Sequence, residues 1–452
     1  MKHLLVGKFD KNELENVEKK EGYFTADVVF LQNESSLGFG MDNALRSLFE
    51  LGVFPSEIGF DLLILAFLVY CADTRIDRSV SAQDGWTREI FLNIPVSDLV
   101  LWSRQVPLIT KMLKFLTGDR WMIEFRSRPE KYKYMIPTHL LGTEKMGFDK
   151  ISLFSGGLDS LIGAINSVES GKTPLFVSHA SDGTTKHCQN VCFNALSEKS
   201  KDRNLSRIQF WTGIPKSLIR PEEVDPNQRS RSFMFFAIGI FAGTGLKVPF
   251  PLEAPENGLI AINAPLDPLR VGSLSTRTMH PFYLARWNEL LENLGIPGKI
   301  VNPYWAKTKG EMVTECLNKD LLQLILPNSL SCSSPTKGRY SHFSTMNCGY
   351  CLPCLIRRAG IEKAFGTGND PSPYTSPNLR AHRLVTYEAE GQNVRSVQFA
   401  LARLRSNPHL VKLLIRKPGP LSDLTPREIG MLEDVYQRGM NEVGVFLEGV
   451  IT

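Results

Sequence analysis

The chain has no run of about 20 apolar residues, the length an α-helix needs to cross a membrane. Its two most apolar stretches, Ile58 to Ala72 and Phe233 to Leu246, both fall short, and the first carries Asp61. They read as buried helices. The start, MKHLLVGKFDKNE, has too short an apolar run before its charges for a secretory signal. Both absences lead to the expectation of a cytoplasmic protein with no membrane partner. A strong excess of one charge is also lacking. The 452 residues carry a formal net charge of +5, which suits an anionic ligand without demanding nucleic acid. No basic stripe appears, so direct nucleic-acid binding is not expected. There is no internal repeat or low-complexity tract. The composition, 42% hydrophobic and 22% charged, is that of an ordinary globular protein. The length allows roughly two to four units at about 100–200 residues each.

Cysteine is present but unevenly spread. In a reducing compartment eight cysteines are thiols or metal ligands rather than disulfides. Cys71, Cys188, Cys192 and Cys316 sit on apolar or helical segments, whereas Cys332, Cys348, Cys351 and Cys354 cluster late in the chain.

Residues 1–148 alternate strand-like runs (Phe24 to Leu31, Ile90 to Ile94, Trp121 to Phe125) with helical ones (Pro55 to Cys71, Ser97 to Leu116). They read as an α+β unit with no chemical motif. A turn-rich stretch from Pro137 to Lys150 leads into a strand, Ile151 to Phe154. A helical pattern follows from Leu158 to Val168, then a second strand at Leu175 to Ser178. Strand, helix, strand at these spacings is a βαβ unit and implies a parallel sheet. Further strands are expected at Arg207 to Trp211 and Gly258 to Asn263, with helices at Ser232 to Gly243 and Pro281 to Leu294. Residues 149–328 therefore read as an open α/β domain, with its ligand at the carboxyl ends of the strands. Residues 329–375 hold the cysteine cluster. Residues 376–452 read as helical, at Asn393 to Ser406 and Thr425 to Leu447, with a breaker at Lys417 to Asp423.

The first strand-to-helix junction reads Ser155-Gly156-Gly157-Leu158-Asp159-Ser160. Paired glycines allow a tight turn and a close approach to an anion. The helix start adds free N–H groups and a positive dipole end. Ser155 and Ser160 offer hydroxyls. Asp159 would repel phosphate, so its carboxylate is better placed on Mg²⁺ or in positioning. The string is not G-x-x-x-x-G-K-[ST], so this is not the loop of kinases and GTPases.

SGGLDS resembles the pyrophosphate-binding loop of the PP-loop, or N-type, ATP pyrophosphatases. These proteins cleave ATP between its α- and β-phosphates and transfer AMP to a substrate oxygen. The resemblance implies the adenine nucleotide alpha hydrolase-like sheet, with ATP and Mg²⁺ as ligands. It implies that Ser178 and His179, at the end of the second strand, hold adenosine. His179 could equally be structural. Thr308-Lys309-Gly310-Glu311 resembles a TKxE segment that closes over the phosphates, with Lys309 neutralising departing pyrophosphate; an exposed helix start is the other reading. Arg231 resembles the first residue of an Arg-Asn pair, with Ser232 in place of the Asn. Asp159, Lys309 and Arg231 are thus the candidate catalytic residues.

The clustered cysteines read C-x15-C-G-Y-C-x2-C. Four thiolates with close C-x2-C steps suit a closed, structural zinc site. Reduced thiols or an iron–sulfur cluster are the alternatives. A helix carrying Arg357 and Arg358 is expected from Cys354 to Ala364. A PP-loop domain followed by this knuckle resembles 7-cyano-7-deazaguanine synthase, QueC, over about residues 150–365. The extra length at both ends, Pro265 to Arg270 and Ser275 to Pro281 resemble most the QueC-like proteins of bacterial Qat anti-phage defence. The resemblance implies a ligase that adenylates 7-carboxy-7-deazaguanine or a similar deazapurine carboxylate, forming AMP and pyrophosphate. The acceptor would be ammonia or an amine on a protein partner from the same defence system. Asp267, Arg270, Ser275, Thr276 and Arg277 are the candidate substrate residues. The two arginines suit bidentate capture of a carboxylate, though each could form a loop salt bridge instead. An RNA-modifying PP-loop enzyme and a non-catalytic ATP-binding scaffold stay open as alternatives.

Overall fold

The computed structural model describes residues 2–13, 21–33, 36–82, 84–137, 147–219, 225, 228–266, 277–333 and 346–452. The front of the chain gives β1 (Lys2–Lys8), β2 (Tyr23–Val29), α1 (Met41–Glu50), α2 (Glu57–Arg75) and α3 (Arg78–Ser81). It continues with β3 (Glu89–Val96), α4 (Leu99–Ser103), α5 (Val106–Thr117) and β4 (Arg120–Ser127). The strand order is β2-β1-β3-β4, and every pairing is parallel. This corrects the expected α+β unit to α/β. The strand β1 was hidden in the polar-flanked run HLLVG, and with it missing the parallel alternation was not visible. Parallel neighbours need crossover connections, and the helices supply them. The expected helix at Ser97 to Leu116 is two helices, α4 and α5, with Pro107 in the first turn of the second.

The middle of the chain gives β5 (Lys150–Leu153), α6 (Leu158–Glu169), β6 (Pro174–Ala180), α7 (Gly183–Lys199), β7 (Ser206–Trp211) and α8 (Arg231–Gly243). Then come β8 (Phe250–Glu253), α9 (Gly258–Ile262), α10 (Pro281–Asn293), β9 (Gly298–Val301), α11 (Lys309–Thr314) and α12 (Lys319–Ile325). The sheet is parallel throughout, in the order β7-β6-β5-β8-β9. The strand order reverses direction between β5 and β8. In open parallel sheets that is where the crevice for a ligand opens, beyond the carboxyl ends.

Gly258 to Asn263, expected as a strand, is the helix α9. Asn257 caps it by accepting from the Ile260 N–H at 3.2 Å, and Asn263 ends it in a left-handed conformation. A six-residue apolar run does not distinguish a buried helix from a strand. The strand lies earlier, at β8, so residues 254–257 and not 264–270 leave its carboxyl end.

The two sheets share one apolar core running from Leu5 to Ile300. α2 packs on β1 and β3 and also on α8, which packs in turn on β5 and β8. α2 is buried from Gly59 to Thr74, which explains its continuous apolar sequence. Its one early interruption, Asp61, accepts from the Ser97 N–H at 2.9 Å and Trp102 Nε1 at 2.9 Å and pairs with Arg128. The end of the chain adds α13 (Leu352–Phe365), α14 (Ala389–Ser406), α15 (Val411–Leu414) and α16 (Pro426–Phe446). They form a second core with α9 through Leu259, Leu355, Val394, Val435 and Met440. Among the described residues no helix is long and apolar enough to cross a membrane.

A buried ionic cluster ties the front sheet to α8. Arg88 donates to Asp73 and Asp119 at 2.7 Å each, and Arg78 donates to Asp119 at 2.6 Å and Asp225 at 2.8 Å. The second oxygen of Asp73 accepts from the Ser230 N–H at 2.7 Å, immediately before Arg231. Removing one carboxylate strands buried guanidinium charge. Asp73→Ala should cost about 3–5 kcal/mol, read as a lower denaturation midpoint in urea.

Candidate functional site

The loop after β5 sits at the sheet's reversal point. Phe154 donates its N–H to Val177 O at 2.8 Å, which carries the strand ladder to the edge of the turn. Gly156 then takes φ +75°, a left-handed conformation. An added Cβ there would lie 3.1 Å from Gln189 N and 3.2 Å from its Cα. Both the conformation and the close backbone of α7 require glycine. Gly157 caps α6 with no side chain of its own, so the first turn opens outward. Ser160 Oγ donates to Gly157 O at 2.9 Å and lies 3.1 Å from Ser155 Oγ. Leu158, buried, anchors α6 in the core.

Asp159, in the first turn of α6, forms an ion pair with Lys309. Asn257 donates to the same carboxylate from its Nδ2 at 3.0 Å and its backbone N–H at 3.3 Å. The structure thus joins the SGGLDS loop, the start of α11 and the exit of β8. Glu256 faces this cluster. Its backbone is fixed on both sides by Asn302, which accepts the Glu256 N–H at 3.2 Å and donates to its carbonyl at 2.7 Å. Glu256 keeps some solvent contact, yet the protein surrounds it densely. Burial pushes its carboxyl up to about 8; the Asp159 charge adds to the rise and Lys309 opposes it. Glu256 and Asn257 were not singled out from the sequence, because the displaced strand put the ligand edge elsewhere. The signal was there: an N-cap asparagine before GLIAI.

At the end of β6, the Ser178 hydroxyl donates to Phe154 O at 2.7 Å, latching the loop's exit. His179 is buried, its Nε2 lies 2.7 Å from Thr212 Oγ1, and its Nδ1 has no hydrogen-bond partner among the described residues. Burial, with help from the Arg231 charge, pushes its pKa down to about 3, so the ring is neutral. Arg231, the first residue of α8, stacks on Phe235 at 4.8 Å, and Phe235 in turn packs against His179 at 5.0 Å. Tyr70 of α2 meets the same imidazole edge-on at 5.7 Å. The front region therefore builds one wall of this edge, a contribution with no sequence signature.

Arg277 donates to Phe115 O of α5 at 2.6 Å and stacks over that ring at 4.8 Å. Asp267, Arg270, Ser275 and Thr276 lie outside the described residues.

The four sulfurs of Cys332, Cys348, Cys351 and Cys354 lie within 4.8 Å of one another. Cys332 and Cys351 are 3.9 Å apart, and Cys348 and Cys354 are 3.8 Å apart. Zinc bound tetrahedrally by thiolates at about 2.3 Å has sulfur–sulfur edges of about 3.8 Å. The cage is compatible with zinc and has no open position. An iron–sulfur cluster sets a sulfide-bridged core between its cysteines and needs a wider cage.

The knuckle is joined to the phosphate loop. Leu330 donates its N–H to Gly156 O at 3.0 Å, and the Leu158 N–H donates to Ser331 Oγ at 3.1 Å. Arg357 of α13, fully buried, donates to Ser329 Oγ at 2.9 Å and Leu326 O at 2.9 Å. Asn347 accepts the Ser331 N–H at 3.0 Å. Ser331, next to Cys332, was missed in the sequence. A cavity of about 400 Å³ opens beside this junction, lined by Thr184, His187, Cys188, Leu330 and Asn347 among others.

No model of a known protein family matches the chain, and no curated protein matches it.

Purified protein should carry one zinc per chain by elemental analysis. Cys348→Ser should lose it and destabilise the 329–332 segment, seen as faster amide exchange there; full zinc retention would contradict the four-thiolate cage. Glu256 gives a pH test. Its folded pKa, about 8, lies above the unfolded value of 4.5. Across that window the unfolded chain is ionised while the folded site holds its proton, so stability falls as pH rises. Glu256→Gln should gain thermal stability over the parent at about pH 9, and the gain should shrink near pH 5. An equal difference at both pH values would contradict this.

Proposed function

We propose that this chain uses ATP to adenylate a carboxylate and passes the acyl group to an amine. The observation that carries the reading is the convergence of Lys309, Asp159 and the SGG turn at the sheet's reversal point. A left-handed glycine turn feeding a helix start whose N-cap residue is glycine suits a phosphate seat by its own chemistry. A buried cation paired to the first helical turn is suited to exchange its carboxylate for phosphate charge.

The substrate carboxylate oxygen attacks the α-phosphorus. The bond to the bridging oxygen breaks, and pyrophosphate leaves with the electron pair. Backbone N–H groups of the α6 first turn and the Lys309 ammonium stabilise the charge on the departing group. Asp159 offers the oxygen ligands a hard cation prefers. Mg²⁺, when bound, would neutralise phosphate charge there. Arg231 and His179 line the neighbouring strand end, the place for the nucleoside or the acyl group. In the second half an amine nitrogen attacks the acyl carbon, the bond to AMP oxygen breaks, and the amine loses a proton. Glu256, titrating near 8, is the group in the cleft suited to accept it.

The substrate class rests on the resemblance to QueC-like proteins: 7-carboxy-7-deazaguanine or a similar deazapurine carboxylate. The acceptor is ammonia or an amine of a protein partner in a defence system. The four clustered cysteines form a closed cage suited to a structural role, which leaves those four thiols out of the chemistry an RNA-thiolating enzyme would need.

AMP release should depend on ATP, Mg²⁺ and a deazapurine carboxylate. Asp159→Ala and Lys309→Ala should each lower its rate by about 10²- to 10³-fold. AMP formed equally by both variants, or no AMP with any carboxylate tested, would overturn the proposal.

A further inference from the structure

The Lys309 segment is gripped from behind by the last long helix. Glu442 of α16 accepts from the Thr308 hydroxyl, from the Gly310 N–H at 3.1 Å and from Lys363 at 2.7 Å. Its side chain is only 8% exposed. One turn earlier on α16, Arg438 pairs with Glu311 and donates to Ala306 O at 3.1 Å. Residues 306–311 are thus tied to α16 at both ends. Thr308 and Glu311 also form a capping box, so the turn carrying Lys309 has its own local lock.

The other face is closed by α13. A Cβ on Gly360 would lie 2.5 Å from Lys309 Cγ and 2.9 Å from its Cβ. The stem of Lys309 therefore runs against bare backbone of the helix that begins at the cysteine cage. α13 packs against the Lys309 stem, α16 holds the residues on either side of it, and the ammonium pairs with Asp159.

We propose that Glu442 is a positioning residue for Lys309, which makes the C-terminal helix part of the catalytic apparatus. The inference rests on the adenylation reading for what Lys309 does, and on the geometry alone for what holds it. Loss of the Glu442 carboxylate frees the Thr308 hydroxyl and the Gly310 N–H together, and the start of α11 swings the lysine off Asp159. A displacement on the order of 1 Å at a reacting centre lowers a rate by about 10²-fold.

The test uses the full chain with two readouts. The first is steady-state AMP formation. The second is acetylation of Lys309 by acetic anhydride, followed by peptide mass spectrometry, which needs no turnover. Glu442→Ala should lower kcat by about 10- to 100-fold with the KM for the carboxylate unchanged, and raise Lys309 acetylation several-fold. Glu442→Gln keeps shape and one acceptor and should recover part of both. Met440→Ala, buried in the tail core on the same helix, should lower Tm and leave both readouts at parent values. A Glu442→Ala protein with altered Tm but parent kcat and parent labelling overturns the inference. So does a Met440→Ala protein that loses activity and protection to the same degree. If the parent forms no AMP, the functional reading fails by itself; Lys309 labelling then decides the positioning claim, and equal labelling in parent and Glu442→Ala overturns it.

Discussion

Lys309 buries its side chain to 5% exposure beside Asp159, itself 15% exposed, and much of the surrounding structure answers to that pair. A buried ammonium is tolerable only with a charged partner and satisfied neighbours, because desolvating either charge alone costs several kcal/mol. The partner comes from the first turn of α6 and the lysine from the start of α11, 150 residues further along the chain. Asn257 adds two donors to the carboxylate, which leaves it fixed in one orientation. Glu256, brought close by the same β8 exit, is held largely neutral by burial and by the Asp159 charge. A second full negative charge in the cleft would compete with Asp159 for Lys309, and protonation of Glu256 avoids that.

The parts outside the second sheet converge on this edge. The front sheet reaches it through α2, whose Tyr70 packs on His179 and whose Asp73 fixes the backbone just before Arg231. The cysteine cage reaches it through Ser331, which accepts an N–H from the first turn of α6. The tail reaches it through Glu442 and Arg438. The layers of sheet, helix, helix and sheet share one core, so the front sheet is packed through α2 onto α8, the helix that begins at Arg231. Under the proposed function, the regions flanking the phosphate loop shape the site as well as any surface for a partner.

What could be read beforehand divides by the range of the physics. Local chemistry was legible. SGGLDS between a strand and a helix, the cysteine spacing, and the long apolar patterns of α2, α8 and α16 all depend on residues close in sequence. The parallel second sheet followed from the same alternation. Ambiguous local patterns were not legible. GLIAI reads as a strand by its apolar run although its cap, Asn257, specifies a helix, and a strand there places the ligand edge away from Glu256. The strand β1 is short and flanked by charge, so its pattern is weak, and without it the parallel order of the front sheet does not show in the sequence. Long-range contacts left no trace in sequence: nothing near Tyr70 or Glu442 signals that either meets the β5–β8 edge. Arg277 lies against Phe115 of α5, a contact equally invisible from sequence.

The central claim is that a carboxylate oxygen becomes bonded to the α-phosphorus of ATP. Oxygen tracing tests it most directly. The carboxylate substrate is labelled with ¹⁸O in both oxygens, turned over with unlabelled ATP and an amine, and the AMP is weighed by mass spectrometry. Adenylation followed by amine attack predicts AMP carrying one heavy oxygen for each acyl group transferred. AMP without label, or ADP as the nucleotide product, would contradict the account.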